Sequence, residues 1–215
     1  MRMTKEIFGR YSSQDVYKYT LKNSNGLSVT LTNFGAAVIS ILTPDRHGNF
    51  ADVVCGYDNL QSYIEADGYQ GATVGRVANR ICHGKFNLDG IDYSLYLNDG
   101  QNHLHGGKIG YDKRIWRATL NDCADASEIT FSLFSPSGDE GYPGNLSVNV
   151  TYRLDNDNAL SIRYDAKADA RTPVSLTNHT YFNLGGYGSG KIYTHELWLD
   201  ADTYLPTDEG LIPTG

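Results

Sequence analysis

The 215-residue sequence has no apolar run long enough to span a bilayer, which for a helix takes about 20 apolar residues in succession. Its first segment, MRMTKEIFGRYSSQDVYKYTL, lacks the apolar core of a secretory signal, and the expected location is cytoplasmic. Positive charge is not in excess. Eighteen Lys and Arg stand against 25 Asp and Glu, a formal net charge of −7. Phosphate backbones and anionic lipids need a basic face, so nucleic acid and membrane are excluded as main partners. Cysteine is scarce, and Cys55, Cys82 and Cys123 are far apart and odd in number. That usage fits reduced thiols rather than a disulfide framework.

Several chemical motifs are also missing. There is no Gly-x-Ser-x-Gly elbow for a nucleophilic serine. Gly185–Lys191, GGYGSGK, comes close to a phosphate-cradling loop, but Ile192 stands where Ser or Thr is required. The segment after it, IYTHELWLD, has the spacing of a strand rather than the required helix. His103 and His105 flank Leu104, and on a strand both imidazoles would face the same side. Gly106, Gly107, Lys108, Ile109 and Gly110 then offer no third ligand, so no metal site is expected.

No long segment carries apolar residues at helical spacing. Short runs with period-two alternation and turn residues between them fill the chain instead. YKYTLKNSNGLSVTLTNFGAAVISILTP turns at Asn25-Gly26, and HGKFNLDGIDYSLYLND turns at Asp89-Gly90, both hairpin signatures. GNFADVVCGY, RIWRATLND, EITFSLFSP, LSVNVTYRLD, ALSIRYDAKAD, TPVSLTNHTYFNL and THELWLDADTYLPTD read as further strands. NLQSYIEADGY reads as a connection with one helical turn. The 23 glycines suit many turns, and 16 tyrosines against 7 phenylalanines suit strands with one wet face. The pattern predicts an all-β antiparallel sandwich or barrel. With no composition shift, internal repeat or low-complexity tract, residues 1–215 read as a single domain.

Four glycine-rich blocks stand out against the plain strands. GATVGRVANRICHG carries Arg76, Asn79 and Arg80; NHLHGG carries Asn102, His103 and His105. SGDEGYPGN carries Asp139, Glu140 and Tyr142; NHTYFNLGG carries Asn178, His179, Tyr181 and Asn183. Planar polar side chains fork onto vicinal hydroxyls and aromatic rings cover the apolar face of a sugar, so the set suits a neutral polyol. Each block has a plainer reading: an arginine paired with a carboxylate, a satisfied histidine, an acidic turn, a glycine serving positive φ.

In the same order along the chain, GATVGRVANRI, NHLHGGKIGYDKRIW, GDEGYPGNL, LTNHTYFNLGG and LPTDEGLIPTG resemble the aldose 1-epimerases, or galactose mutarotases, from about Val29 to Gly215. The resemblance implies a large β-sandwich and a cofactor-free interconversion of the α and β anomers of galactose or glucose. One group takes the proton of the C1 hydroxyl, another protonates the ring oxygen, and the opened ring closes from the other face. By position, His179 matches the family's general acid and His105 a second histidine that hydrogen-bonds the sugar near its ring oxygen. Asn79 and Arg80 match the pair that holds sugar hydroxyls, and His103 is left to support the loop. The family's general-base glutamate, and an aspartate that holds hydroxyls, lie in a later segment than any present. The expectation is a C-terminally truncated domain with exposed strand edges, completed by a missing C-terminal segment or a second chain. Glu140 and Glu209 are the carboxylates within reach of a stand-in role. Two alternatives stay open: a non-catalytic carbohydrate-binding remnant, and a hexose-phosphate epimerase-like protein using Arg76, Arg80, Lys108 and Lys113.

Overall fold

A computed structural model describes residues 2–122 and 125–215. Its first sheet is antiparallel and follows chain order: β1 (Arg2–Tyr11), β2 (Gln14–Lys22), β3 (Ser28–Thr32), β4 (Ala37–Pro44) and β5 (Phe50–Asp52). The second is also in chain order: β11 (Arg117–Asp122), β12 (Ala126–Ser135), β13 (Leu146–Asp155) and β14 (Leu160–Ala168). Between them the chain forms α1 (Leu60–Glu65) and the short strands β6 (Thr73–Val74), β7 (Arg80–Ile81), β8 (Lys85–Leu88), β9 (Ile91–Ser94) and β10 (His103–Leu104). A last two-residue strand, β15 (Thr177–Asn178), pairs with β6.

The period-two pattern does what it predicts. Tyr19, Leu21, Val29 and Leu31 of the first sheet share one core with Ile129, Phe131, Val148, Val150 and Tyr152 of the second. Tyr19 meets Phe131 edge-on with ring centroids 5.9 Å apart, which fixes the sheets face to face. At one end, the Asn23 amide donates to the Asp155 carbonyl (2.9 Å) and to Asn158 Oδ1 (2.7 Å). That ties the first hairpin's turn to the β13–β14 turn. Asp89 and Gly90, at φ 55° and 80°, form the two-residue turn between Leu88 and Ile91. A smaller cluster of Val16, Phe34, Leu60 and Tyr63 seats α1. Asn59 caps its start through Ser62 N–H (2.9 Å), and Lys113 Nζ donates to the carbonyls of Tyr63, Ile64 and Ala66 at its end.

Three expectations change. β1 was not anticipated, because its sequence, RMTKEIFGRY, alternates poorly; it exists through its pairing with β2. TPVSLTNHTYFNL keeps only β15 as regular strand. THELWLDADTYLPTD forms no strand, and Leu197, Trp198 and Tyr204 are more than 80% exposed. Apolar alternation becomes a strand only against a partner strand, and among the described residues this stretch makes only an isolated bridge at its end, Thr207 with Pro213. Cys55 and Cys82 are free thiols, and Cys123 lies outside the described residues. Among the described residues, no helix is long and apolar enough to cross a membrane.

Arg76 is the most unusual core residue, 1% exposed. Its Nη1 donates to the carbonyls of Pro143 (2.8 Å) and Gly144 (3.0 Å) and to Thr172 Oγ1 (2.9 Å). Its Nη2 donates to Ser135 Oγ (2.7 Å) and to the carbonyls of Ser135 and Pro136. A buried guanidinium of this kind is not free to bind phosphate. Arg76→Met would leave several buried acceptors without donors, each costing about 1–3 kcal/mol. The expected outcome in urea unfolding is a loss of at least about 3 kcal/mol; a loss below about 1 kcal/mol would contradict the structural role.

Candidate functional site

Three segments converge at one end of the short-strand region. β7 pairs with β10 in the register Arg80↔Leu104, which sets Asn79 and Arg80 beside the turn that follows β10. That turn is closed by Gly107 N–H on the Leu104 carbonyl (3.1 Å). Its central residues, His105 and Gly106, have φ of 53° and 92°. β15 pairs with β6 and delivers His179, whose N–H donates to Ala72 O (2.9 Å) and whose carbonyl accepts from Gly71 N–H (3.0 Å). The His105 and His179 rings meet edge-on at 5.1 Å. Tyr69, at φ 57°, packs against both, 4.6 Å from His105 and 5.7 Å from His179, and Tyr181 lies 4.9 Å from His179.

The hydrogen bonds settle the protonation of His105. Its Nδ1 accepts the Asn79 backbone N–H (3.0 Å), while its own N–H donates to the Asn79 carbonyl (3.0 Å). A neutral ring whose Nδ1 accepts must carry its proton on Nε2. Burial, then the neighbouring His179 and Arg80, push the His105 pKa down to about 4. At neutral pH His105 is therefore an uncharged Nε2–H donor. Arg80 Nε donates to Asp99 Oδ2 (2.7 Å) and Nη1 to Asn79 Oδ1 (3.3 Å). The ion pair of the plainer reading exists, yet Nη2 donates to no group among the described residues. All four sequence-derived candidates, Asn79, Arg80, His105 and His179, thus lie together. His103 is fully buried between the Tyr96 carbonyl (2.7 Å) and the Tyr142 hydroxyl (2.7 Å), a support for the loop.

The two candidate stand-in carboxylates part company. Glu140 accepts Lys108 N–H at Oε2 (2.8 Å) and Ile109 N–H at Oε1 (3.1 Å), so both oxygens are engaged with the backbone. Glu209 sits in a turn held by Asp208 Oδ1 on Ile212 N–H (2.9 Å) and by Asn102 on the Gly210 carbonyl (3.3 Å). That turn shares a 480 Å³ cavity with Arg80 and Asp99. Of the cations in the hexose-phosphate alternative, Arg76 is buried and Lys113 is engaged at α1, which leaves Arg80 and Lys108. Among the described residues, no group of three or more His, Cys, Asp and Glu side chains is placed to hold a metal ion.

Three neighbours were not singled out from sequence: Tyr69, Asp99 and Asp112. A 640 Å³ cavity has all three on its wall but neither histidine. The one signal for them is proximity to marked blocks, with Tyr69 before GATVG, Asp99 before QNH, and Asp112 within YDKRIW. Asp112 is 7% exposed and accepts no hydrogen bond from another described residue. Burial pushes its pKa up to about 6, against the opposing pull of Lys113 and its own N–H.

The aldose 1-epimerase family model matches residues 17–215. The chain belongs to the aldose 1-epimerase family. It is 46% identical to galactose mutarotase of Sus scrofa over 215 residues, 99% of this chain and 61% of that protein. Against aldose 1-epimerase of Escherichia coli K12 the identity is 42%, over 90% of this chain and 55% of that one. The crystal structure of an aldose epimerase homologue from C. elegans superposes with a TM-score of 0.84 at 34% identity, covering 91% of this chain and 59% of that one. The chain thus spans about three fifths of the length of these relatives, and its sandwich is the epimerase fold.

His105 and Asp112 give opposite pH dependences. His105 has a folded pKa near 4 against an ordinary value of 6.5, so its contribution is present above about 6.5 and lost as pH falls toward 4. Asp112 has a folded pKa near 6 against 3.8, so its contribution is present below about 4 and lost as pH rises through 6. Urea midpoints between pH 4 and 7 should show His105→Gln gaining on the parent as pH falls. Asp112→Asn should lose ground over the same range. Curves that run parallel to the parent for both variants would contradict the two assignments.

Proposed function

We propose that this chain carries the sugar-binding and proton-donating side of an aldose 1-epimerase acting on the anomers of galactose or glucose. The observation that carries the proposal is the convergence of His179, a neutral Nε2–H donor on His105, and the free edge of Arg80 on one open face. In this reading His179 protonates the ring oxygen as the C1–O5 bond breaks, and His105 donates a hydrogen bond beside it. Keeping His105 uncharged removes the repulsion that a second cation would exert on a protonated His179. Arg80 and Asn79 hold hydroxyls and fix the ring. Rotation about C1–C2 and reclosure then yield the other anomer, and no cofactor enters.

The proton of the C1 hydroxyl needs a base on the opposite side, and Glu140 is committed to its two N–H groups. We therefore assign the base to a further β segment or a second chain. The exposed apolar residues Leu197, Trp198, Leu199, Tyr204 and Leu205 support an additional layer there. Residues 1–215 are read as one aldose 1-epimerase-like domain working in the cytoplasm, on a small hexose rather than on nucleic acid or membrane. Sugar binding without turnover is the second reading, favoured for the chain by itself by the occupied Glu140.

Polarimetry tests this. Fresh α-D-galactose relaxes to its equilibrium rotation at the spontaneous rate if the base is absent, and faster if Glu209 supplies one. In a form extended to the length of the relatives, His179→Ala and His105→Ala should each lower turnover by roughly 10²–10⁴-fold. Near-unchanged rates in both would overturn the site.

A further inference from the structure

Lys108 and Ile109, which follow the glycine pair after His105, are both held through their N–H groups by the Glu140 carboxylate. We propose that Glu140 is a positioning residue for His105: its carboxylate, by binding the N–H groups of Lys108 and Ile109, fixes the turn that aims the His105 imidazole. The inference rests on the reading of His105 as a sugar-facing donor and names what keeps it aimed.

Four observations support it. Both Glu140 oxygens are spent on consecutive backbone N–H groups (2.8 and 3.1 Å), a charge-assisted arrangement stronger than a neutral contact. Gly107, whose φ of 109° already favours glycine, also lies against that carboxylate so closely that a Cβ would overlap it. Glu140 itself sits at φ 49°, a left-handed conformation that a residue of its type adopts only under constraint. The opposite polarity of the same segment is also secured. The Ile109 carbonyl accepts from Arg114 (2.9 and 3.2 Å), which is paired with Asp139 (2.6 Å). Asp139 thus takes the arginine and leaves Glu140 to the N–H groups. Across the turn, Asn98 donates to the carbonyls of Leu104 and Gly107 (2.9 and 3.1 Å) and accepts from Leu104 N–H (2.8 Å). His105 lies between the two clamps, with Tyr69, His179, Arg80 and Asp99 as the titratable and charged groups around it.

Glutamine can accept at one of the two N–H groups but presents a donor to the other. Aspartate keeps the charge but is one methylene too short to reach both. Asn98 is untouched in either variant, so the turn persists while its orientation loosens. The test follows the His105 imidazole by ¹⁵N NMR in the 215-residue chain, with hydrogen exchange at Lys108 and Ile109. The parent should show Nε2–H with Nδ1 accepting. In Glu140→Gln and Glu140→Asp alike, the two amides should lose protection, and the His105 midpoint should rise by about 1 pH unit or more as water reaches the ring. Gly107→Ala, which presses on the carboxylate from the other side, should do the same with Glu140 intact. Lost amide protection with an unmoved His105 would reduce Glu140 to a structural staple and overturn the proposal. So would a parent-like His105 in Glu140→Asp, which would make charge rather than geometry the cause. Adding D-galactose to the parent separates the two readings. If it moves neither histidine, the sugar reading fails while the Glu140–His105 coupling is still measured.

Discussion

The site hangs on a buried guanidinium. Arg76 has no carboxylate beside it, so its charge is stabilised by carbonyl and hydroxyl oxygens that must all be in place together. Those oxygens come from Ser135 and Pro136 at the end of β12, from Pro143 and Gly144, and from Thr172. Ser135 in turn donates to Asp139 (2.6 Å), which brings the 139–140 turn to its position under the histidine loop. The Arg76 carbonyl accepts from Ser175 N–H (3.0 Å), three residues upstream of Asn178 and His179. Asn79 and Arg80 lie three and four residues after Arg76 in the chain. One desolvated charge thus sets the mutual register of every segment that carries a candidate group. Its demand for several simultaneous partners makes that register all-or-none.

Within that frame the two histidines are given different tasks by their surroundings. His105 is burdened by burial and by the neighbouring His179 and Arg80, and its Nδ1 is occupied by a backbone donor, so it stays neutral with its proton on Nε2. His179 is fastened through its backbone to Gly71 and Ala72, and its ring is held only by aromatic edges, among them Tyr69 and Tyr181. Among the described residues no hydrogen bond engages either nitrogen of that ring. One ring is a fixed donor and the other is placed by packing, a division that two identical residues reach through environment.

What was legible in the sequence was whatever local chemistry decides. The turns at Asn25-Gly26 and Asp89-Gly90 needed positive φ, and the strands beside them needed only period two. The blocks around Asn79, His105 and His179 were legible because polar planar groups beside glycines are rare in a plain strand pattern. THELWLDADTYLPTD has the same alternation as β13, yet pairing is a non-local property and no described strand lies beside it. Arg76 and Arg80 lie in one block four residues apart, and only burial separates a core hub from a surface binder. Tyr69, Asp99 and Asp112 were invisible because their importance lies in which rings and cavities they meet. Glu140 drew attention as a carboxylate, but its role follows from two backbone N–H groups that no sequence pattern announces.

Part of the backbone strain lies at the same place. Tyr69, Asn79, His105 and Glu140 all hold positive φ without being glycine. Each costs on the order of 1–3 kcal/mol relative to a relaxed backbone, and each touches or clamps the histidine loop. Asp112 adds a buried carboxyl that accepts no hydrogen bond from another described residue, and His105 an imidazole whose charged form burial disfavours. A fold selected for stability alone would relax several of these at once, since glycine or asparagine at the strained positions and asparagine at Asp112 are single-residue changes. Seven further non-glycine residues, Ser12, Ser13, Ala36, His83, Asp89, Asn158 and Leu211, hold positive φ away from these rings, so strain by itself does not mark the site. What sets the four apart is that they meet around two imidazoles, in a frame that the buried Arg76 network makes rigid.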